Sequence, residues 1–349
     1  MKKEFIYTLI ATITSICISC SKEPVNRNPW EVMSDTDIQL KVTNTSVKET
    51  KLTDNGFESD DVINIYAYLV PDNSTTPAYD MIYIGNSSSP LSFEYSQVTA
   101  DSEVTEDKKV YISDYYWPKF DHCAYQSLHF FGFYTINTVK ESVNGIAITG
   151  PVVYVTSTAA PKFKYTTNTA NNASIEDFLV AQQQASENDV ILEFQRPLAK
   201  VEWLVEYSDF IGTNGFELNF PIIANGEFNY KSGNVEDGKG WTLGSSKEDL
   251  QLKWDGQVNG NSTDEISLGT MYLIPQQLEK FSIVWNYHKE ARNISENDTF
   301  DLNAGYSYKF TLKIQPDHVI WVGAKVTDSN GNIIKDKEQW ITIENTNTI

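Results

Sequence analysis

Cys20 is the residue of this chain whose surroundings point most directly to a chemical modification. A positively charged start (residues 1–3) leads into a mostly apolar run (residues 5–18), and Ser19 stands just before the cysteine. A short apolar run with a charged start and a small residue at its end is typical of an export signal and too short to span a membrane. The sequence therefore predicts a lipoprotein, with a diacylglycerol on the Cys20 thiol and a further acyl chain on its freed amine.

The alternative for this segment is an ordinary cleaved signal in which Cys20 is incidental. Cys17 supports that alternative, because Leu or Val is common at this place in lipoprotein signals. Several acyl chains hold a protein to a bilayer far more firmly than one, since each buried methylene contributes about 0.8 kcal/mol. We therefore expect an outer-membrane lipoprotein held through the lipid on Cys20, and the sequence does not indicate which face of the membrane it occupies.

Residues that could carry catalysis or hold a metal do not form a recognisable constellation elsewhere. The sequence has no P-loop, dinucleotide glycine fingerprint, G-x-S-x-G elbow or H-E-x-x-H motif. His122 and His129 flank Cys123, but their spacing of seven does not place them on one helix face. Asp60 and Asp61 are adjacent, and adjacent strand residues point to opposite faces of a sheet. We expect no enzyme activity, no metal site and no cofactor.

Aromatic residues cluster in two segments that could stack on sugars. These segments are residues 115–118 (Tyr-Tyr-Trp-Pro) and residues 130–134 (Phe-Phe-Gly-Phe-Tyr). Consecutive strand residues face alternately inward and outward, so half of these rings would be exposed unless a second layer covered them. We favour a core that is buried on both faces and keep the sugar platform as the alternative.

Composition and charge restrict the class of protein and of partner. The chain has 349 residues, of which 40% are hydrophobic and 13% aromatic, and this composition favours a folded β protein. Its formal net charge of -20 would repel phosphate backbones, so nucleic acid is excluded as a partner. Cys123 is the remaining cysteine after Cys17 and Cys20, so no disulfide framework is expected, and we interpret Cys123 as a small buried hydrophobe.

Short apolar runs separated by turn residues are the main structural signal. Ile38, Leu40 and Val42 alternate with polar residues, which indicates a half-buried strand, and residues 62–70 form a stronger one. Further runs of this kind continue to residues 340–343. A short helix is predicted only at residues 175–184, and residues 231–265 are predicted to be long exposed loops.

These elements predict an all-β protein that is built as a sandwich or a barrel. The predicted organisation is a signal peptide (1–19), a lipidated tether (20–36), an N-terminal β domain (37–188) and a C-terminal β domain (189–349). The cut near residue 188 follows a polar segment, after which the pattern of short strands begins again.

Four parts of the sequence form a recognisable series. They are residues 56–66 (an aromatic residue, an acidic pair and an apolar strand), 116–118 with 128–134, 177–181 with 190–201, and 273–276 with 302–310. Together they resemble the fimbrillin-like proteins of Bacteroides-type bacteria, lipoprotein precursors of type V pili. The resemblance extends from about Ile38 to Ile343, and where this family usually has His, the present chain has Gln195 or Arg196.

The resemblance implies two β-sandwich domains in tandem, both of transthyretin-like topology, with the N-terminal sandwich at residues 37–188 and the C-terminal sandwich at residues 189–349, and it implies assembly by strand addition. In the family, a trypsin-like protease can remove the first strand after a basic residue, and an extended segment of another subunit then fills the apolar groove. By analogy, the strand with Ile38, Leu40 and Val42 would be exchangeable, and Lys48 or Lys51 would be the cleavage site. Family members often have Arg there, so stalk, anchor and tip roles stay open.

The resemblance also implies the partners of the chain. These would be other pilus subunits, bound by strand addition, and the outer membrane, bound through Cys20. The segment with Trp340, Ile341 and Ile343 could be a C-terminal donor strand or merely the last strand of the fold. The main alternative function is a surface lipoprotein that binds polysaccharide through exposed aromatic side chains, and an adhesion ligand from a host or a glycan is left open.

Overall fold

Strands dominate the computed structural model of the chain. It describes residues 28–44, 57, 61–94, 109–135, 152–167, 177–187, 190–207, 214–230, 240–257, 266–285, 288–293, 300–314, 319–327, 333–337 and 341–343. Apart from a 3-10 turn at Phe120–His122, the regular elements of these residues are β-strands, which confirms the prediction of an all-β protein. The division into two transthyretin-like sandwiches stays a prediction. Within the same residues, no helix is long and apolar enough to cross a membrane.

The strands up to residue 194 are β1 (Met33–Asn44), β2 (Val62–Pro71), β3 (Ile82–Ile84), β4 (Leu91–Glu94), β5 (Lys109–Pro118), β6 (Tyr125–Thr135), β7 (Val152–Thr156), β8 (Ala159–Thr166), β9 (Phe178–Ala185) and β10 (Val190–Phe194). The later strands are β11 (Ala199–Tyr207), β12 (Asn214–Ile223), β13 (Asn225–Asn229), β14 (Trp241–Leu243), β15 (Lys247–Gln257), β16 (Ile266–Leu273), β17 (Gln276–Leu278), β18 (Lys280–Trp285), β19 (His288–Asn293), β20 (Phe300–Leu302), β21 (Ser307–Ile314), β22 (Val319–Thr327), β23 (Ile333–Lys337) and β24 (Ile341–Ile343).

One sheet lies in the middle of the N-terminal half, and we call it the central sheet. Its strand order is β3-β2-β6-β9, and β4 also pairs with β2. The long strands β2 and β6 run antiparallel, from Ile63 opposite Tyr134 to Pro71 opposite Tyr125. Most residues of both strands are buried, because other sheets cover the central sheet on both faces.

The first face of the central sheet carries mainly aliphatic side chains, and we call it the aliphatic face. The sheet β10-β1-β5 covers it. Gly132 lies at the centre of this face, and a Cβ atom there would lie 2.9 Å from the ring of Phe194 in β10. The glycine therefore lets the two sheets approach closely. The aliphatic face consists of Ile63, Ile65, Ala67, Leu69, Leu128, Phe130, Tyr134, Leu179 and Ala181.

The second face carries mainly rings, and we call it the aromatic face. It consists of Tyr66, Tyr68, His129, Phe131, Phe133, Phe178 and Val180. The sheet β14-β13-β8-β7 covers it with Phe163 from β8 and with Phe228 and Tyr230, at the end of β13. The ring centroids of Phe133 and Phe163 lie 5.3 Å apart, and those of Phe131 and Tyr230 lie 4.9 Å apart. This layer is packed by edge-to-face and tilted ring contacts.

The C-terminal half continues the hydrophobic cluster of the aromatic face. Its two larger sheets have the orders β16-β11-β21-β22-β23, with β24 also paired to β22, and β15-β12-β18-β19. Trp203 of β11 stacks on Phe220 of β12 at 5.0 Å and lies 4.7 Å from the ring of Phe310 in β21. Phe310 is the neighbour of Trp203 in the same sheet, whereas Phe220 belongs to the other sheet, so the Trp203–Phe220 contact indicates that the two sheets pack face to face.

Two predictions of secondary structure are wrong. Residues 178–184 of the predicted helix (175–184) belong to strand β9, whose first four residues are all buried. The segment predicted as exposed loops contains β14 and the eleven-residue strand β15, in which Leu250 and Leu252 are buried. Strand pairing also crosses residue 188, because β10 pairs with β1 and β13 pairs with β8. The predicted domain boundary itself stays a prediction.

Candidate functional site

Strand β1 contains the residues that were predicted to be exchangeable, and it lies between two other strands. It pairs in parallel with β10, from Leu40 opposite Val190 to Asn44 opposite Phe194. On its other side it pairs with β5 in antiparallel register, so that Leu40 also lies opposite Val110. The ladder to β5 shifts between Asp37 and Gln39, which indicates a bulge. β1 is therefore a central strand rather than an edge strand.

One side of β1 faces the aliphatic face of the central sheet. Ile38 and Leu40 are fully buried and Val42 is 4% exposed, whereas Gln39 and Lys41 between them are half-buried. The prediction of a strand with alternating burial is thus confirmed. Strand β10 repeats the pattern, because Val190, Leu192 and Phe194 are buried while Ile191 and Glu193 are exposed.

Phe57 follows β1 in the chain and belongs to the same hydrophobic cluster as the buried residues of β1, β10 and the aliphatic face. It is buried, and its ring makes edge contacts with Phe194 at 5.3 Å and Tyr134 at 5.2 Å. The Tyr134 hydroxyl donates a 2.6 Å hydrogen bond to Asp61 Oδ1. The aromatic residue and the second acid of the first motif are thus packed beside β1. The sequence motif indicated these residues, but it gave no sign of their contacts.

The other predicted site residues are only partly placed. Cys20, Lys48, Lys51 and Trp340 lie outside the described residues. Ile341 and Ile343 belong to β24, which pairs with β22, with Ile341 opposite Trp321 and Ile343 opposite Val319. β23 pairs with the other end of β22, from residue 324 to 327. The structure therefore places the C-terminal candidate on the outer strand of a different sheet from β1.

The residues considered for catalysis or metal binding do not form a site. His122 is exposed beside Asp121, with 3.4 Å between Nε2 and Oδ2, whereas His129 stacks on Phe131 at 4.5 Å. Cys123 is buried, and burial raises the pKa of its thiol, so it is not a ready nucleophile. In the described part of the chain, no group of three or more His, Cys, Asp or Glu side chains could hold a metal ion.

A buried ion pair lies at the junction of the two halves, and reasoning from the sequence missed it. Arg196, just after β10, donates a 2.7 Å hydrogen bond from Nε to Oδ2 of Asp177, just before β9, and each side chain is 1% exposed. The Arg196 guanidinium also lies 5.2 Å from the ring centre of Tyr272 in β16. Burial raises the pKa of Asp177, and Arg196 opposes that shift. The pair therefore links the central sheet to the C-terminal sheets.

The exposure of the aromatic side chains decides whether they could form the sugar platform that was kept as the alternative. Phe130, Phe131, Phe133 and Tyr134 are buried, so this segment belongs to the core, as favoured. Among the aromatic residues whose side chains are described, Trp30 and Tyr116 are the exposed ones, at 38% and 37%. Tyr83 contacts both residues. Its ring stacks on that of Trp30, with 6.1 Å between the ring centroids, and its hydroxyl donates a 2.6 Å hydrogen bond to the backbone carbonyl oxygen of Tyr116.

A family model described as fimbrillin-like matches residues 50–328 of the chain. The match is shorter at both ends than the resemblance expected from about Ile38 to Ile343, and it leaves out β1, β23 and β24. No curated protein matches the sequence.

Solved structures of low sequence identity are similar over most of their length. A candidate cell adhesion protein of Bacteroides ovatus is 16% identical with a TM-score of 0.46, covering 88% of this chain and 99% of its own. One of Bacteroides uniformis is 13% identical with a TM-score of 0.45, covering 88% and 100%. A fimbrial assembly protein of Parabacteroides distasonis is 9% identical with a TM-score of 0.42, covering 86% and 98%. Because these TM-scores lie below 0.5, the family of the chain rests on the match over residues 50–328.

Proposed function

The chain belongs to the fimbrillin-like family, and from this premise we propose that it is a component of a cell-surface pilus. Family membership supports a structural or adhesive role. The proposed component is a stalk, anchor or tip subunit that is exported as a lipoprotein and assembled by β-strand addition. No enzyme activity is part of this role.

The observation that carries the proposal is the position of β1 between β5 and β10. Removal of β1 would uncover two rows of backbone hydrogen-bonding groups and the pockets now filled by Ile38, Leu40 and Val42. Burial of each such side chain contributes about 1.5–3 kcal/mol, so the empty groove would favour any strand with apolar residues at alternate positions. A neighbouring subunit can supply such a strand.

The proposed release of β1 begins with cleavage after Lys48 or Lys51. Both residues follow β1 in the chain and precede the buried Phe57. A cut there would remove Cys20, its lipid and β1 together, and would leave Phe57 and the rest of the groove in place. Without a cut, Cys20 would keep the chain at the membrane, as an anchor subunit requires.

β24 is the proposed donor, and its sequence fits the groove only in part. Ile341 and Ile343 stand two residues apart, the spacing of the pockets for Ile38, Leu40 and Val42. The donor would therefore fill two of three pockets, and it would first have to leave its partner β22. β24 has three residues whereas β1 has twelve, so flanking residues would have to extend the pairing.

Limited proteolysis tests the cleavage step. Purified protein treated with a trypsin-like protease should be cut once near Lys48 or Lys51 and then form oligomers, measured by mass spectrometry and size-exclusion chromatography. The double variant Lys48→Gln/Lys51→Gln should stay uncut and monomeric, whereas Lys164→Gln, an exposed lysine of β8, should behave like the unchanged protein. Digestion at many sites, or a stable uncut monomer, would contradict the proposal.

Truncation tests the donor step. A chain that ends at residue 338 lacks β24 and should be cleaved normally but fail to form oligomers. A chain that ends at residue 344 keeps β24 and serves as the matched control. Oligomers of equal size from both chains would rule out β24 as the donor.

Membrane fractionation tests the anchor. Cys20→Ala should move the protein from the membrane fraction to the soluble fraction, because the acyl chains have no other attachment residue in this prediction. If the variant stays bound to the membrane, Cys20 is not the anchor, while strand addition is unaffected.

The alternative function is a surface lipoprotein that binds polysaccharide through exposed aromatic side chains. One observation favours it, namely that Trp30 and Tyr116 are exposed and lie close together around Tyr83. Quenching of tryptophan fluorescence by a polysaccharide, lost in a Trp30→Ala variant, would support it. A pilus subunit should assemble without any glycan.

A further inference from the structure

Half of the exposed large hydrophobic side chains that the structure describes lie at one place, around the start of β1. They belong to Trp30, Met33 and Tyr116, and each is more than a third exposed. The other three lie singly on β10, β14 and β23, which are strands of different sheets. Single exposed hydrophobic residues are common on proteins, whereas a cluster of them is the form that interaction sites take. We call the three residues the N-terminal patch.

Strand pairing brings two residues of the N-terminal patch together. Met33 lies opposite Pro118 in the ladder between β1 and β5, and Tyr116 stands two positions before Pro118. Opposite residues of an antiparallel ladder lie on the same side of a sheet, as do residues two apart on one strand. Trp117, between Tyr116 and Pro118, is buried in the core. Met33 and Tyr116 therefore share the side of β5 that faces away from the core.

Trp30 is held beside them by a turn and by a ring contact. Its backbone N–H donates a 3.2 Å hydrogen bond to Oδ1 of Asn28, and the backbone N–H of Glu31 donates to the Asn28 carbonyl oxygen at 2.9 Å. The Trp30 ring stacks on Tyr83, whose hydroxyl binds the carbonyl oxygen of Tyr116. An exposed ring that is already held in place loses little further freedom when it docks on a partner.

The position of Cys20 indicates which partner the patch meets. Trp30 stands ten positions after Cys20, the predicted lipid-attachment residue. Ten residues span at most about 35 Å, even when the chain is fully extended. Acyl chains on Cys20 would therefore keep the patch close to a bilayer, which no other partner of the chain shares. This step rests on the lipid anchor of the proposed function.

The chemistry of the patch suits the boundary between a bilayer and water. Trp and Tyr side chains are enriched at this boundary, because each combines an apolar ring with a polar group that stays in contact with water. The exposed carboxylates of Glu31, Asp35 and Asp37 outnumber the exposed Lys119 around the patch. An anionic surface would repel these carboxylates, so a bilayer of zwitterionic lipids fits best.

We propose that the N-terminal patch docks on the zwitterionic bilayer in which the acyl chains of Cys20 are inserted. Trp30 and Tyr116 lie at the level of the headgroups, and Met33 contacts the ends of the acyl chains nearest to them. The lipid alone would leave the protein free to turn on its tether. Docking of the patch gives it one orientation, with the start of β1 toward the membrane.

The proposed cleavage after Lys48 or Lys51 would end the docking. Trp30 and Met33 precede these lysines and would leave together with Cys20 and β1, whereas Tyr116 on β5 would stay. The membrane contact therefore belongs to the uncut chain and is lost in the same step as the lipid.

Fluorescence quenching by brominated lipids tests the inference on the lipoprotein itself. The protein is purified from membranes and reconstituted into phosphatidylcholine vesicles, with or without bromine on the acyl chains close to the headgroups. Bromine should quench tryptophan fluorescence of the unchanged protein. The chain has eight tryptophans, so the variants are compared by the difference that bromine makes. Quenching should be lost in Trp30→Phe and kept in Trp203→Phe, which changes a buried tryptophan.

A second pair of variants keeps Trp30 as the reporter. The double variant Met33→Ser/Tyr116→Ser should reduce the quenching, whereas Leu243→Ser/Ile333→Ser, which removes exposed hydrophobic side chains on other sheets, should leave it unchanged. Vesicles that also contain anionic phosphatidylglycerol should give weaker quenching. Equal quenching of the two double variants, or quenching that persists in Trp30→Phe, would overturn the inference.

Flotation of the vesicles separates this inference from the proposed anchor. Protein that floats with the vesicles but shows no quenching would overturn the docking of the patch and leave the lipid anchor intact. Protein that does not float would overturn the anchor and the docking together. A fluorescence change on addition of a soluble polysaccharide, without any quenching by brominated lipid, would assign the patch to a glycan instead.

Discussion

The two faces of the central sheet are buried to a similar degree but by different chemistry. On the aliphatic face, Ile, Leu and Ala side chains, together with Phe130 and Tyr134, meet β1 and β10 mainly through apolar packing. On the aromatic face, rings interlock with Phe163 and Phe228, and the Tyr230 hydroxyl donates a hydrogen bond to the carbonyl oxygen of Gly132. This difference would suit the proposed exchange of β1, because aliphatic packing tolerates substitutes of similar volume.

Among the substitutions that compare the two faces, Phe163→Ala should lower the free energy of unfolding the most. Phe163 is fully buried on the aromatic side, with rings of Phe133, Phe178 and Tyr230 within 5.7 Å. Loss of this side chain should lower the free energy of unfolding by about 3–5 kcal/mol, measured by denaturant titration. The rate of strand exchange should not change. A faster exchange would show that the two faces are coupled.

Leu40→Ala tests the aliphatic face in the same way. Leu40 is fully buried in the middle of β1, and the change should cost about 2–5 kcal/mol. Here, in contrast, hydrogen exchange of the β1 amides and release of β1 after proteolysis should both become faster. Gln39→Ala, the half-buried neighbour, should stay within about 0.5 kcal/mol of the unchanged protein. Equal effects of both variants would argue against the assigned face of β1.

Tyr230→Phe isolates the directional contribution of the aromatic face. The change removes only the hydroxyl that binds the Gly132 carbonyl oxygen and should cost about 0.5–1.5 kcal/mol. Tyr116→Phe removes an exposed hydroxyl and is the control, with an expected change close to zero. If Tyr230→Phe were neutral, ring packing alone would hold the aromatic face.

Acidic pH should lower the free energy of unfolding through His129 on the aromatic face, and no such loss is expected at neutral pH. His129 lies on that face between Phe131 and the glutamine side chains of β9, and burial lowers its pKa below the usual value of 6.5. The unfolded chain therefore binds the proton more tightly, so stability is lost as the pH falls below about 6.5.

The variant His129→Gln should show a smaller loss of stability between pH 7 and pH 5 than the unchanged protein, in thermal unfolding at each pH. Its stability at pH 7 changes for reasons of packing as well, so the difference between the two pH values is the quantity to compare. Equal slopes for both proteins would assign the acid effect to other groups.

The strands with clear alternation or long apolar runs could be predicted from sequence, and those with mixed signals could not. The alternation of Ile38, Leu40 and Val42 predicted the buried side of β1, and residues 62–70 predicted β2. The start of β9 was predicted as a helix because Phe-Leu-Val-Ala is buried on both faces, and a continuous apolar run has no period that separates strand from helix. In β15, Leu250 and Leu252 alternate with polar residues, but the surrounding sequence is so polar that this short alternation did not indicate a strand.

The candidate site was predictable in its residues but not in its pairing. β1 meets β10 about 150 positions along the chain, in parallel, and meets β5 in the opposite direction across a bulge. Local sequence carries no information on such distant partners. The Asp177–Arg196 pair is a similar case, because a buried ion pair forms between residues that only the fold brings together.

Because β1 is paired on both sides, a strand in its position would resist a pulling force differently from a strand that is paired on one side. A pull along the strand axis is shared by the ladders to β5 and β10, so many hydrogen bonds have to break together. A force perpendicular to the short ladder between β24 and β22 would break its hydrogen bonds one after another. A donor seated in the place of β1 would therefore resist tension as a shear joint, the form of connection that a filament under flow requires.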